Sequence, residues 1–387
     1  MPDEHRTYLG DRVRLDAFRR AIEAKVRPGT VVLDLGAGTG ILGLLACRAG
    51  AARVYAVDMG PILDLAGRLS RANGFGDRIR CVRGMSTRVA IPERADLVVA
   101  DLVGGFGYEA GVLEYFEDAR ARLLRPGAAT IPEAITVEVA PVESAPLHAE
   151  VEFWGSRPGG FDFEQARLTA SCTPAWRFLQ RENLLGDPVA LRTIDLATAR
   201  PDPFGATLDL PVGRPGILHG IGGWFRARLA PGVEMTTSPL AAERIDRRNV
   251  FLSLGRAVPV QEGDRVRVRM NYVPAQFLVA WRGSVVDGAT GEVRARFDQS
   301  NFHSFGISAT ELRAHSPGWR PMVDVWGEAW RRTIGLCDGS RTVEEIRAAV
   351  LADFPALFPS TVEAGVFVGE VLQSVAGSVL PRDGRPA

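Results

Sequence analysis

Residues 31–42 read V-V-L-D-L-G-A-G-T-G-I-L: a short apolar run, three glycines at every second position, and then apolar residues again. An uninterrupted apolar run of this length suits a strand buried on both faces, as in a parallel sheet. Glycines directly after it let the backbone turn tightly and bring N–H groups to the start of the next helix. The pattern repeats outward from this turn. Before it, Arg12 to Lys25 carries Val13, Leu15, Phe18 and Ile22 at helical spacing. After it, Ile41 to Ala49 reads as a helix, Arg53 to Asp58 as a second strand, and Pro61 to Asn73 as a helix with proline in its first turn. Ile79 to Arg83 and Ala95 to Asp101 are further strands, and Gly111 to Leu124 is a helix stopped by Arg125-Pro126-Gly127. Strands separated by helices of this length give βαβ units, hence an α/β class with a doubly wound, Rossmann-like sheet.

The pattern changes after about Pro132. Thr136 to Val142 alternates like a strand, and residues 153–200 are loop-rich and partly helical, with Trp154, Phe161, Phe163, Trp176 and Phe178. From Gly205 to Phe297 strand signals dominate, in the runs ATLDL, GGWFRARL, NVFLSL, DRVRVRMNYV, FLVAWRGSVV and EVRARF. They predict an antiparallel sandwich or β-barrel-like domain. A Pro- and Gly-containing segment, Ala314 to Pro321, reads as a linker, and the remainder as a small helical unit. The expected domains are 1–132, 133–313 and 314–387.

Composition narrows the class. The 387 residues are 46% hydrophobic and 24% charged, the balance of a folded globular chain of two or three domains. Lys+Arg and Asp+Glu both number 46, so there is no basic excess of the kind that gripping nucleic acid requires. Nucleic acid is not an expected partner. No apolar run approaches a membrane span, and the N-terminal stretch lacks a signal-peptide core. A membrane is not expected as a partner, and a cytoplasmic protein is. Cys47, Cys81, Cys172 and Cys337 are too far apart for a C-x-x-C motif. No His/Asp/Glu cluster has metal-ligand spacing, so no metal is expected.

The glycine loop has an acidic partner. Asp58 ends the second strand, 22 residues after Gly36, where a carboxylate accepts hydrogen bonds from ribose hydroxyls. Nicotinamide dinucleotides and S-adenosylmethionine both carry that ribose. Dinucleotide binders space their glycines G-x-G-x-x-G, whereas Gly36, Gly38 and Gly40 are spaced G-x-G-x-G. Asp34, at the mouth of the loop, suits a cationic amino-acid end and repels a pyrophosphate. The spacing favours S-adenosylmethionine, with a dinucleotide or a plain structural turn as the other readings.

At this point the chain resembles the protein arginine methyltransferase family of class I S-adenosylmethionine-dependent methyltransferases, over roughly residues 5–300. His5-x-x-Tyr8-Leu9-x-Asp11-x-x-Arg14 is similar to the family's N-terminal helix motif, in which the arginine pairs with the cofactor carboxylate and the histidine lies near the cofactor. VLDLGAGTGIL is similar to its glycine motif and AVDMGPI to its acidic strand. Thr87 falls where the family has a glutamate that accepts from the adenine amino group. Thr236-Thr237-Ser238-Pro239 and Val250-Phe251-Leu252 are similar to the segments around the family's Thr-His-Trp loop, but Arg244-Ile245-Asp246 stands in place of that triplet.

The resemblance also implies the chemistry. Methyl transfer is an in-line displacement, so the protein's task is to hold the nucleophile in attacking geometry and strip water. A guanidinium is a poor nucleophile, being protonated below a pKa of about 12. Two carboxylates facing its N–H groups fix its plane and draw its charge away from the attacking nitrogen. The family places two glutamates in the loop after the fourth strand. Asp101 and Glu109 are the matching positions, Asp101 one methylene shorter and the loop one residue shorter. His303 is a further candidate base.

The resemblance implies a dimerisation arm around residues 153–200, in which Trp154, Trp176 and Phe178 bury against a second copy, hence a homodimer. The tail pattern Asp338-Gly339-x-x-Thr342-x-x-Glu345-Ile346 is similar to small winged-helix domains that recognise leader peptides. A packed helical cap is the plainer reading. Expected acceptors are a guanidino or other nitrogen nucleophile of a protein or peptide. The alternatives are a small-molecule metabolite methylated on N or O, or a cofactor-binding scaffold with little catalysis.

Overall fold

The computed structural model describes residues 2–304, 313–314 and 316–375. The chain forms two compact units, Met1–Gly306 and Ile307–Ala387. The first begins with helices α1 (Pro2–Gly10) and α2 (Arg12–Lys25). Strand β1 (Val31–Leu35), helix α3 (Ile41–Arg48), β2 (Arg53–Asp58), α4 (Ile62–Ala72), β3 (Ile79–Arg83), β4 (Ala95–Ala100), α5 (Val112–Arg122) and β5 (Leu124–Ile131) follow. The five strands form one parallel sheet in the order β3-β2-β1-β4-β5.

All five residues of β1 are buried, as its apolar run requires. Phe18 and Ile22 of α2 are fully buried against this sheet's core, each burial being worth about 1.5–3 kcal/mol. The order of strands reverses between β1 and β4. In such sheets that switch point opens a crevice at the strands' carboxyl ends. The register pairs Leu35 of β1 with Ala100 of β4, so Gly36 and Asp101 leave neighbouring strands at the same level. This single pairing puts the glycine loop beside the loop that carries Asp101 and Glu109.

Helix α5 ends at Arg122, and Arg125-Pro126-Gly127 lies inside β5 rather than after a helix. Pairing with β4 jumps from Leu124 opposite Ala95 to Ala129 opposite Leu97. Proline and glycine fit there because β5 is an edge strand and the irregular step needs no ladder N–H from them.

The antiparallel part comprises β6 (Ala134–Val142), α6 (Ala145–Glu152), α7 (Glu164–Cys172), β7 (Ala175–Arg177), β8 (Val189–Asp195), β9 (Phe204–Pro211) and β10 (Gly216–Ala230). It continues with β11 (Val233–Thr236), β12 (Asn249–Val260), β13 (Arg265–Val273), β14 (Leu278–Val286) and β15 (Val293–Ser300). One sheet runs β7-β12-β10-β6-β8, with β11 on β10, and a second runs β15-β14-β13-β9. The sheets are tied through fully buried Trp281 of β14, whose Nε1 donates to the Ser253 carbonyl of β12 at 2.8 Å. Strand β8 lies in the region that reads as loop. Its half-exposed alternation leaves little apolar signal.

The described residues of the second unit include helices α8 (Val325–Leu336), α9 (Val343–Asp353) and α10 (Thr361–Val375). Thr342 caps α9: its Oγ1 accepts from Glu345 N, and the Glu345 carboxylate accepts from Thr342 N at 2.7 Å. Leu336, Ile346, Val350, Phe367 and Val371 share its core. No strand occurs among the described residues of this unit.

Candidate active site

The crevice at the switch point is floored by the glycine loop. Gly36 and Gly38 have φ of 67° and 53°, and neither position has room for a side chain. A Cβ on Gly36 would meet Leu102 Cδ2 at 2.9 Å, and one on Gly38 would meet His5 Cε1 at 2.9 Å. Gly40, with φ of 79°, starts α3 and does not line the crevice. Asp58 ties the loop down: Oδ2 accepts from Gly38 N at 2.9 Å and Oδ1 from Gly60 N at 2.7 Å.

Two small cavities meet at Gly36. One, of 170 Å³, is walled by Asp58, Met59, Gly84, Met85, Ser86, Leu102 and Tyr115. The other, of 130 Å³, is walled by His5, Tyr8, Arg14, Gly38, Thr39 and Asp101. A carboxylate thus serves one half, and a guanidinium with an imidazole serves the other. That donor set fits a ligand with ribose hydroxyls at one end and a carboxylate at the other. Thr87 is exposed and outside the first cavity, where Met85 and Ser86 stand instead.

Asp34 is not at the mouth of the loop. It is fully buried, with Oδ2 accepting from Gly43 N at 2.9 Å, so it ties β1 to the first turn of α3. Oδ1 has no hydrogen-bond partner among the described residues. Burial raises its carboxyl to about 7, opposed by the Gly43 bond. Strand alternation had to point Asp34 into the sheet's face, and a carboxylate's charge does not override that register.

Asp101 lies on the far side of the crevice with 8% of its side chain exposed. Arg14 Nε donates to Oδ2, while Arg247 donates from Nη1 to Oδ1 at 3.2 Å and from Nη2 to Oδ2 at 2.9 Å. Burial pushes the Asp101 carboxyl up, but Arg247 and Arg14 outweigh it and hold it below the usual range. The three residues come from different elements. Arg14 is in the first turn of α2, whose cap Asp11 accepts from Arg14 N at 2.9 Å. Asp11 Oδ2 also accepts from Asp246 N at 2.8 Å, which fixes the loop carrying Arg247 to the same helix end.

Glu109 completes the site. Its Oε1 accepts from Phe106 N at 2.8 Å, while Oε2 is buried and has no partner among the described residues. Burial raises its carboxyl above the ordinary glutamate range, and the Phe106 N–H only partly opposes that. The loop that carries both carboxylates is anchored by aromatics. Tyr108 is fully buried with its hydroxyl 3.1 Å from the carbonyl oxygens of Ile135 and Arg192, and Phe106 lies 6.0 Å from the Tyr272 ring. Asp101 and Glu109 face one cavity of about 880 Å³, whose wall includes Tyr8, Gly104, Trp176, Phe178, Asp246 and Arg247.

Trp176 therefore points into the cavity, its ring tilted at 32° to that of Phe277 with centres 5.6 Å apart, and Phe178 lines the same cavity. The arm's exposed apolar groups are Phe153, Phe161, Phe163, Leu168 and, although it lines that cavity, Phe178. His303 is exposed beside Phe302 and belongs to none of these walls. Arg247, bonded to Asp101 in this cavity, was left unmarked in the sequence, since its partner is 146 positions away.

A parallel sheet in this order with a glycine loop and an acidic β2 end is shared by dinucleotide and S-adenosylmethionine binders, and the matches that follow place the chain among the class I S-adenosylmethionine-dependent methyltransferases. Residues 133–278 match the arginine methyltransferase oligomerization subdomain, and residues 19–137 match the ribosomal protein L11 methyltransferase (PrmA) family. The chain is 28% identical over 279 residues to protein arginine N-methyltransferase 1 of Dictyostelium discoideum, covering 70% of this chain and 81% of that protein. It is 29% identical over 273 residues to protein arginine N-methyltransferase 6 of Xenopus laevis, covering 67% and 80%. Its fold is similar to the Trypanosoma brucei PRMT1 enzyme–prozyme heterotetrameric complex with AdoHcy, with a TM-score of 0.70, 23% identity and coverage of 76% of this chain and 96% of that chain. The fold of protein arginine methyltransferase 10 of Arabidopsis thaliana matches with a TM-score of 0.68 at 22% identity, over 78% and 97%. Within its class the chain is protein arginine methyltransferase-like. No helix among the described residues is long and apolar enough to cross a membrane.

Proposed function

We propose that the protein transfers a methyl group to a guanidino nitrogen of an arginine-like acceptor in a protein or peptide. One observation carries this reading: a single loop presents two carboxylates to one cavity, and Glu109 Oε2 is buried there without a partner. A buried, unpaired carboxylate oxygen is costly unless a ligand donates to it. Asp101 holds the guanidinium of Arg247 in a two-point fork, which leaves Glu109 as the carboxylate open to the acceptor.

S-adenosylmethionine supplies a methyl on a sulfonium sulfur. Asp58 would hold its ribose, and Arg14 with His5 its carboxylate end. The other tasks fall to the acceptor cavity. Glu109 Oε2 accepts an N–H of the acceptor, fixes the guanidino plane and receives the proton that the attacking nitrogen loses. Tyr8, Trp176 and Phe178 narrow the cavity and exclude water.

The same reading includes a homodimer, with Phe161, Phe163 and Leu168 of the arm buried against a second copy; these side chains are exposed in the single chain. Sedimentation of Phe161→Asp tests it, and an unchanged sedimentation coefficient rejects it. A cytoplasmic location is supported by four cysteines, all unpaired.

The decisive experiment supplies methyl-labelled cofactor and an arginine-containing peptide, followed by hydrolysis to amino acids. Label recovered as methylarginine supports the reading. Label found only on small metabolites in a lysate, with the peptide untouched, overturns it.

A further inference from the structure

We propose that Arg247 determines which acceptors this site takes: its guanidinium occupies the face of Asp101 that a guanidino substrate needs, so an acceptor must compete with it. The inference rests on the reading that Asp101 and Glu109 form the acceptor site. A carboxylate offers about four lone-pair positions. Three are filled here, one on Oδ1 by Arg247 and two on Oδ2 by Arg247 and Arg14. A second guanidinium cannot make a two-point contact with what remains. It also meets two positive charges around one firmly ionised carboxylate.

Arg247 is built into this position. Its Nη1 also donates to the Val103 carbonyl, and its Cζ lies 5.7 Å from the centre of the Tyr8 ring. Its own loop is pinned through Asp246 N to Asp11. Only 14% of its side chain is exposed. Glu109 is the contrasting group, with one oxygen unclaimed. The acceptor is therefore held by Glu109 and by the aromatic wall of Trp176 and Phe178, and a bare guanidino group gains little from Asp101. Acceptors that bring a chain to lie along that wall have the advantage over small guanidino compounds.

The test uses the full chain saturated with S-adenosylhomocysteine. Methylguanidinium is titrated into wild type, Arg247→Gln and Arg247→Lys by calorimetry, and KM and kcat are measured for the tripeptide Gly-Arg-Gly. Retained S-adenosylhomocysteine binding shows that each variant is folded. Arg247→Gln should bind methylguanidinium at least tenfold more tightly than wild type and lower the peptide KM by a similar factor. Arg247→Lys, which keeps the charge but loses the fork, should gain less. Should Arg247→Gln not fold, the gain in Arg247→Lys alone is decisive. Unchanged or weaker methylguanidinium binding in a folded variant overturns the proposal. Tighter binding without methylation of the peptide by any form leaves Arg247's role standing and rejects the guanidino-transfer reading. Methylation by wild type with an unchanged KM in the variants does the reverse.

Discussion

The α-carbon of Gly104 faces the carboxylate of Glu109 so closely that a Cβ there would stand 2.0 Å from the carboxylate carbon. The two residues are five positions apart in one loop, and the absence of a side chain at one sets the location of the other. Gly104→Ala should therefore displace the carboxylate, the free end of a flexible side chain, at little cost to folding. We expect kcat for the acceptor to fall at least tenfold, since misplacing a reacting group by about 1 Å can cost on the order of a hundredfold. Calorimetry with S-adenosylhomocysteine should give an unchanged affinity. An active Gly104→Ala enzyme would show that the Glu109 position is not critical.

Glu109 should also set the acid limb of the pH profile. Burial raises its carboxyl above the ordinary glutamate range. The ionised form accepts the acceptor's proton, so kcat/KM should fall as pH drops through that raised value, earlier than for an exposed glutamate. Glu109→Gln should lower kcat by about a hundredfold or more and abolish this limb. A limb that persists in the variant would assign the titration to another group.

The parallel half was legible because its signals are local. The run Val31–Leu35, the glycines after it and Asp58 at the end of β2 each announce their role within a few residues. Strand β5 was not, because Arg125-Pro126-Gly127 is a stop signal whose meaning changes only when β4 supplies an irregular edge. The two carboxylates of the site came from the resemblance of their loop to the arginine methyltransferase family. What surrounds them was not legible. Arg247 reaches Asp101 across 146 positions, and Asp34 points inward because of the register of β1 with its neighbours. Trp176 reads as an arm residue in sequence. The pairing of β7 with β12 sets it opposite Val250, and its ring, tilted against Phe277, lines the cavity of Asp101 and Glu109.

Asp34 gives a stability prediction with a definite sign. Its carboxyl is raised to about 7 in the folded chain from an ordinary value of 3.8. Between those values the folded state keeps a proton that the unfolded chain releases. Its contribution to stability is therefore full below about 4 and declines as pH rises towards 7, by roughly 4 kcal/mol at most. Asp34→Asn removes this decline. Urea unfolding at pH 5 and pH 8 should show the variant faring better relative to wild type at pH 8, by at least about 1 kcal/mol. Equal differences at the two pH values would mean that Asp34 is ionised throughout.

Asp101 should prove as important to folding as to turnover, which governs how its variants are read. Its carboxylate neutralises two guanidinium groups whose side chains are 6% and 14% exposed. Removing one member of a buried charge cluster leaves the others uncompensated and typically costs about 3–5 kcal/mol. Asp101→Ala should thus lower the unfolding free energy by about that amount. The loss should shrink in the double variant Asp101→Ala/Arg247→Ala, which leaves only Arg14. The lowered carboxyl of Asp101 adds a pH dependence of the opposite sign to that of Asp34: its stabilisation is present above about 3.8 and lost as pH falls through its folded value. Denaturant midpoints of the two variants decide the matter. If both are equally unstable, Arg247 and Asp101 are not coupled, and the charge cluster is held by Arg14 alone.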